Sequence, residues 1–191
     1  MIPRILLLTT GGTIASLPTE EGLAPGLDGE DLAELLPRGV TDAYHITIRD
    51  ILHLDSSNIQ PEEWQTIARH VFEQRGNYDG IVITHGTDTM AYTASMLSFM
   101  LRGIAIPVVL TGAQLPMTHP LSDGMENLRT ALAMAASGVA GVFLAFDRKV
   151  MLGCRAVKTR TTDFDAFESV NWPLAASVDG KGLAIHRGAI P

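Results

Sequence analysis

Short apolar runs recur along the chain at 5–8, 44–54, 78–84, 106–110 and 142–146. Each is too short for a helix and is bounded by glycine, proline or a polar cluster, which predicts five strands. Between them the apolar period changes. After Pro61, the residues Trp64, Ile67, Ala68, Val71 and Phe72 fall at i, i+3, i+4, i+7 and i+8, one face of a helix that Gly76-Asn77 closes. Met125, Leu128, Leu132 and Ala135 form a second stripe in a helix over 122–137. Asp28 is placed to cap a shorter helix through Leu32, Leu35 and Leu36, which Pro37 ends. The stretch 89–101 has helical propensity but is apolar nearly all round, with Met90, Tyr92, Met96, Leu97, Phe99 and Met100. That pattern predicts a helix covered on more than one side, within this chain or against a partner.

Strands that read as continuous rather than alternating runs, separated by helices, predict an α/β fold. The expectation is a mostly parallel sheet with helices on both faces, a Rossmann-like three-layer arrangement to which a flavodoxin-like strand order is open. The stretch 16–26, with Pro18, Glu20-Glu21, Gly22 and Pro25, reads as a polar flap. Past Phe146 the rhythm changes: 149–158 reads as a strand pair or hairpin, 161–165 as a short helical piece and 183–186 as a last strand. The chain stops at Pro191 in loop-like sequence, so a second domain is expected beyond it. The chain itself reads as one domain over 1–191, with no internal repeat.

Three strand exits carry similar chemistry. Gly11-Gly12-Thr13 follows the first strand, Asp55-Ser56-Ser57 the second, and His85-Gly86-Thr87-Asp88 the third. The glycine pair permits a sharp turn without a Cβ penalty. Taken singly, each cluster reads as a cap or turn, and Asp88 in particular precedes the apolar run at Met90 as a helix cap would. Taken together, they place hydroxyls and carboxylates on one rim of a parallel sheet, where ligands bind. A threonine hydroxyl needs a base to act as a nucleophile. His85 is the nearest imidazole, although a position within the strand exit can turn its ring away from Thr87. The other route is a lysine held neutral by burial or a neighbouring charge. Of Lys149, Lys158 and Lys181, Lys158 is best placed to reach inward, with a solvated surface position as the plainer alternative.

Composition narrows the classes. The 191 residues, 46% apolar and 18% charged, suffice for one full core. A net charge of −7 with no basic cluster argues against a nucleic-acid partner. Cys154 is the only cysteine, which rules out an internal disulfide. No apolar run approaches a membrane span, and Met1-Ile2-Pro3-Arg4 leads into an apolar run too short for a signal-peptide core, so a cytoplasmic protein is expected. No dinucleotide fingerprint, phosphate loop or serine elbow is present. The histidines form no pair at ligand spacing, and His119 with Asp123 is read more plainly as loop and cap; neither metal nor cofactor is expected.

The segments Thr10-Gly11-Gly12-Thr13-Ile14-Ala15 and His85-Gly86-Thr87-Asp88-Thr89 resemble the signature pair of the bacterial-type L-asparaginase/glutaminase family. Asp55-Ser56-Ser57, Leu110-Thr111-Gly112-Ala113-Gln114 and Lys158-Thr159-Arg160-Thr161-Thr162-Asp163 fall in that family's order. The resemblance runs from Ile5 to about Pro191 and covers only the family's larger N-terminal domain. The Asp-Ser-Ser form resembles the cytoplasmic type I branch.

The resemblance implies hydrolysis of L-asparagine to L-aspartate and ammonia. Thr13 would be the nucleophile, forming an acyl-enzyme, with Thr87, Asp88 and Lys158 as the assisting group. Asp88 would also take the substrate ammonium, Ser56 with Asp55 and Ser57 its carboxylate, and the Ala113 backbone its amide. At the flap the sequence departs from the family: Gly22-Leu23-Ala24-Pro25 has Leu23 where a tyrosine is expected, so the lid can exclude water but offers no phenol. The resemblance further implies a homodimer or tetramer whose site is completed by a neighbouring subunit's C-terminal domain, and hence little or no activity from these residues alone. Two other readings stay open: an ammonia-supplying subunit of a tRNA amidotransferase, and a non-catalytic amino-acid-binding domain.

Overall fold

Four of the five runs become strands buried on both faces, where no position is left for polar residues, whereas 45–54 is half-exposed and forms the sheet's edge. The computed structural model describes residues 1–191, Pro25 by its backbone alone. Strand β1 (Arg4–Gly11) leads into a hairpin, β2 (Ser16–Thr19) and β3 (Gly22–Pro25), then helices α1 (Gly29–Leu35) and α2 (Arg38–Thr41). The alternation continues with β4 (His45–Leu54), α3 (Pro61–Gln74), β5 (Gly80–Thr84), α4 (Met90–Met100), β6 (Pro107–Thr111), α5 (Gly124–Ala135) and β7 (Gly141–Phe146). Five short strands follow: β8 (Lys149–Leu152), β9 (Ala156–Lys158), β10 (Phe167–Ser169), β11 (Ala176–Asp179) and β12 (Gly182–Ile185).

The main sheet has the order β12-β11-β8-β7-β6-β5-β1-β4. Its parallel part, β4-β1-β5-β6-β7, counted by order of appearance along the chain, reads 2-1-3-4-5, the flavodoxin-like order. Strands β8, β11 and β12 extend it antiparallel. Leu6, Leu8, Ile81, Ile83, Val108 and Leu110 face α3 and α4, whereas Ile5, Leu7, Val82 and Val109 face α5 and the α1–α2 segment. The chain leaves β1 toward one side of the sheet and β5 toward the other. That topological switch point opens a crevice at the strands' carboxyl ends.

The hand of the crossovers matters for the site. The connections β1→β4, β4→β5 and β5→β6 share one hand, since each reversal of direction comes with a change of face. The step β6→β7 keeps the direction of β5→β6, but α5 lies on the opposite face from α4, so its hand is opposite. With right-handed connections the norm, the α5 crossover is the left-handed one. On the way to that face, residues 112–123 touch the other rim loops, with the Met117 amide donating to the Ile14 carbonyl at 3.3 Å.

Local signals explain the helix ends. The Asp28 carboxylate accepts from the Asp31 amide at 2.9 Å, and the Asp28 amide donates back to Asp31 at 3.0 Å, a reciprocal cap for α1. Leu36 turns extended ahead of Pro37, as a residue before proline prefers. Pro61 opens α3, with Gln60 and Glu63 capping it.

Two expectations need correction, and one is narrowed. Segments 149–152 and 156–158 do not pair with each other: β8 joins β7, and β9 pairs with β10. Residues 161–165 form bends, not a helix, because the Thr159 and Arg160 amides both turn back to the Ala166 carbonyl. Helix α4 is covered on one side only within this chain. Met90, Thr93, Ala94 and Leu97 are buried, while Tyr92 and Phe99 are 67% and 72% exposed.

The sheet's centre carries more of the stability than its β4 edge. Ile83 is fully buried in β5, whereas Ile46 on β4 is only partly so. Replacing Ile83 by alanine is expected to cost about 3–4 kcal/mol and Ile46 by alanine roughly half of that, read from urea midpoints at constant m-value. Equal losses would contradict this layering.

Candidate active site

The three polar exits converge because glycines let their backbones touch. A Cβ on Gly12, whose φ is 85°, would lie 2.5 Å from the Gly86 amide nitrogen, and a Cβ on Gly86 would lie 2.5 Å from the Ser56 hydroxyl oxygen. No other residue fits either place. The first and third exits are thus in backbone contact, with the second against them. Above this floor lies a cavity of about 330 Å³ lined by Gly12, Thr13, Ser16, Leu23, Leu54, Asp55, Ser56, Gly86, Thr87, Asp88, Gln114, Lys158 and Thr161.

Thr13 begins a single 3₁₀ turn, Thr13–Ala15, and is half-buried. The turn is secured by the Ser16 hydroxyl donating to the Gly12 carbonyl at 2.9 Å and by Gly12's amide donating to Leu54 at 3.1 Å. Leu23 stands on β3 of the hairpin that rises over this turn. The flap of the sequence is therefore an ordered β-ribbon, and Leu23 lines the cavity with its side chain largely exposed.

Across the cavity, the Lys158 ammonium donates to the Thr87 hydroxyl at 2.9 Å and to the Asp88 carboxylate at 3.0 Å. The lysine side chain is 14% exposed and the aspartate side chain 67%. One end of the pair is therefore packed in protein while the other meets solvent. Lys158 ends β9, which pairs only with β10 in a separate two-stranded sheet. Asp88 does not cap α4: Thr89 occupies the N-cap, without a side-chain cap bond, and its hydroxyl donates instead to the Ser56 carbonyl at 2.7 Å. The lysine holds the Asp88 carboxylate away from the helix end.

His85 is buried and serves the loop rather than the cavity. Its Nδ1 lies 2.7 Å from the Gly86 carbonyl, which can only accept, so Nδ1 carries the proton. Its Nε2 then accepts from the Thr93 hydroxyl at 2.9 Å, and Thr93 in turn accepts from the Trp64 indole at 2.8 Å. A line of bonds thus ties the third exit to α4 and α3. Burial pushes the imidazole below its ordinary value of 6.5, only partly opposed by the bond to Gly86.

The remaining site residues separate. Asp55 and Ser56 line the cavity. Ser57 and Ala113 are not among its lining residues: the Ser57 amide donates to Asp55 at 3.0 Å, and Ala113 is buried with Ile14 and Ala15. Gln114, Ser16 and Thr161 line the cavity although none was assigned a role; Gln114 and Thr161 lie in the two segments 110–114 and 158–163 that follow the family's order. Among the described residues no cluster of three or more His, Cys, Asp or Glu could hold a metal. A larger cavity of about 600 Å³ lies between α1 and β4. Its Asp50 is already occupied by the Thr9 hydroxyl and the Gly29 amide, so it offers no convergent reactive set.

The His85 shift has a pH consequence. A folded value below the unfolded one means that the unfolded chain binds the proton more readily. The stabilisation from neutral His85 is full above pH 6.5 and is lost as the pH falls through the lowered folded value. Urea midpoints should therefore fall more between pH 7 and 5 for the native chain than for a His85→Gln variant. Parallel curves would assign the acid sensitivity to other groups.

Comparison with known proteins fits this geometry. The family model described as "Asparaginase, N-terminal" matches residues 4–191. An L-asparaginase of Thermococcus kodakarensis is 53% identical over 184 residues, covering 96% of this chain and 56% of that protein. A solved structure of the thermostable L-asparaginase from that organism superposes with a TM-score of 0.90 at 51% identity, covering 98% of this chain and 58% of the other. L-asparaginase 1 of Escherichia coli is 42% identical over 173 residues, 88% of this chain and 51% of that protein. A glutamyl-tRNA(Gln) amidotransferase component of Thermoplasma acidophilum is more distant, 35% identical over 189 residues, with 93% and 45% coverage. The chain spans about half the length of these curated relatives. Its sequence and its fold together place it in the asparaginase family.

Proposed function

We propose that the protein is an amidohydrolase that converts L-asparagine to L-aspartate and ammonia through a threonine nucleophile, without cofactor. The observation that carries this reading is the Lys158 ammonium bonded to both Thr87 and Asp88 across one cavity from Thr13. The names of the L-asparaginase relatives support the choice of substrate.

In this reading Thr13 Oγ attacks the side-chain amide carbon and forms an ester, while the C–N bond breaks and ammonia leaves. Water then cleaves the ester, releasing aspartate and restoring the hydroxyl. The Thr13 proton ends on the departing nitrogen, so that ammonia leaves, while the Lys158 ammonium stays protonated and holds Thr87 and Asp88 in place to assist. Asp88, exposed on the side away from Lys158, receives the substrate ammonium, and the Ser56 hydroxyl, with Asp55 beside it, receives the carboxylate end. Leu23 on the ribbon excludes water without supplying a proton. An amidotransferase reading has less support, since that relative is more distant and the chain's charge of −7 disfavours tRNA. Cytoplasmic location and a site completed by a neighbouring subunit belong to the same proposal. A domain limited to 1–191 belongs to it as well, and such a chain alone is expected to be weakly active.

Asparagine hydrolysis by the whole protein tests the roles. Thr13→Ala should lower kcat by at least about a thousandfold with the fold intact. Asp88→Asn should raise KM as well as lower kcat, because its carboxylate serves both substrate and Lys158. Near-native turnover by the Thr13 variant, or an unchanged KM for the Asp88 variant, would reject the respective role.

A homo-oligomer is part of this proposal. The outward face of α4, with Tyr92, Met96, Phe99 and Met100, supports it, since such a cluster is costly in water. Light scattering should give a multiple of the protomer mass, reduced by Phe99→Glu; a monomer, or a mass insensitive to that change, would count against this face.

A further inference from the structure

Gln114 is the one cavity-lining side chain whose hydrogen bonds run to the proposed catalytic group on one side and to the segment beyond Lys158 on the other. Its Nε2 donates to the Thr161 carbonyl at 3.1 Å and to the Asp163 carbonyl at 2.8 Å. Two carbonyls can only accept, so the amide nitrogen must face them and Oε1 must face Thr87. The Thr87 hydroxyl lies 3.3 Å from Oε1. An amide oxygen cannot donate, so the single Thr87 proton points to Gln114. The lone pairs of Thr87 are thereby left to the Lys158 ammonium, 2.9 Å away. The main chain of Gln114 is equally constrained: its amide donates to both Asp123 oxygens at 3.0 Å, and Asp123 accepts from buried Asn127 at 3.2 Å.

We propose that Gln114 is a positioning residue that sets the direction of the Thr87 hydroxyl proton, away from Lys158, and so fixes which partner each donates to before substrate arrives. The inference rests on the amidohydrolase reading. It assigns the rim loop 112–123 a role in the reaction. The carboxamide is suited to this because it accepts at one end and donates twice at the other; a carboxylate or a thioether can do only part of that. Without it, the Thr87 proton is free to turn to Lys158 or to solvent, and the 161–163 backbone loses its two donors.

The test is Gln114→Met in the full-length protein that carries this chain, a change that keeps length and removes every polar atom. At saturating asparagine kcat should fall about tenfold, the equivalent of about one lost hydrogen bond between neutral groups, with KM within about twofold. In single turnovers on a Thr87→Ala background the same change should have no further effect, because its action runs through that hydroxyl. A kcat retained within twofold overturns the proposal. So does an equal loss on the Thr87→Ala background, which would make Gln114 only a tether for 161–163. An unsubstituted protein inert toward asparagine would reject the amidohydrolase reading instead.

Discussion

The site depends on one steric fact, that the loops after β1 and β5 approach each other closely enough for main chain to touch main chain. Gly12 meets Gly86, and Gly86 meets Ser56, at separations that leave no room for a Cβ. Everything above that floor takes its position from it. Thr13 is the residue after the first contact and Thr87 the residue after the second, so the proposed nucleophile and its partner are placed by backbone rather than by side-chain packing. The parallel order β4-β1-β5 makes the approach natural, because it brings the three polar exits to one rim where the chain diverges.

Two further elements close the cavity from directions that the parallel core does not supply. The left-handed crossover through α5 carries residues 112–123 against the other rim loops, and with them Gln114. The chain after β8 then returns to the rim through the separate β9–β10 pair, delivering Lys158 to Thr87 and Asp88. A mostly buried lysine with a half-open carboxylate partner is a costly arrangement unless its donors are used. Here the Thr87 hydroxyl and the Asp88 carboxylate use two of them. Beneath the rim, neutral His85 clamps the Gly86 carbonyl and passes its other nitrogen to Thr93 and Trp64, so the loop inherits the rigidity of α3 and α4.

Much of this was legible in the residues. The apolar runs and their period settled the α/β class, the strands and the main helices, because continuous burial and the 3.6-residue stripe are properties of local sequence. The cap at Asp28, the start at Pro61 and the stop at Pro37 are local as well. The polar exits marked the rim and named Thr13, Ser56, Thr87 and Asp88 as candidates, and the motif pair pointed to the family that the comparisons established.

What local sequence could not settle is whatever depends on distant partners. Asp88 reads as a cap beside its own helix, and only the arrival of Lys158, seventy residues on, decides otherwise. The 161–165 segment reads as helical, yet the Gln114 carboxamide takes the Thr161 and Asp163 carbonyls while the Ala166 carbonyl takes the Thr159 and Arg160 amides just before it. Strands β9 and β10 are three residues each and exist only as a pair. The sequence by itself determined the layers, the strands and the residues with reactive side chains, since burial period and residue type are written locally. Tertiary structure alone decided which of those residues meet, because hydrogen-bond partners and glycine contacts lie across loops that no periodicity records.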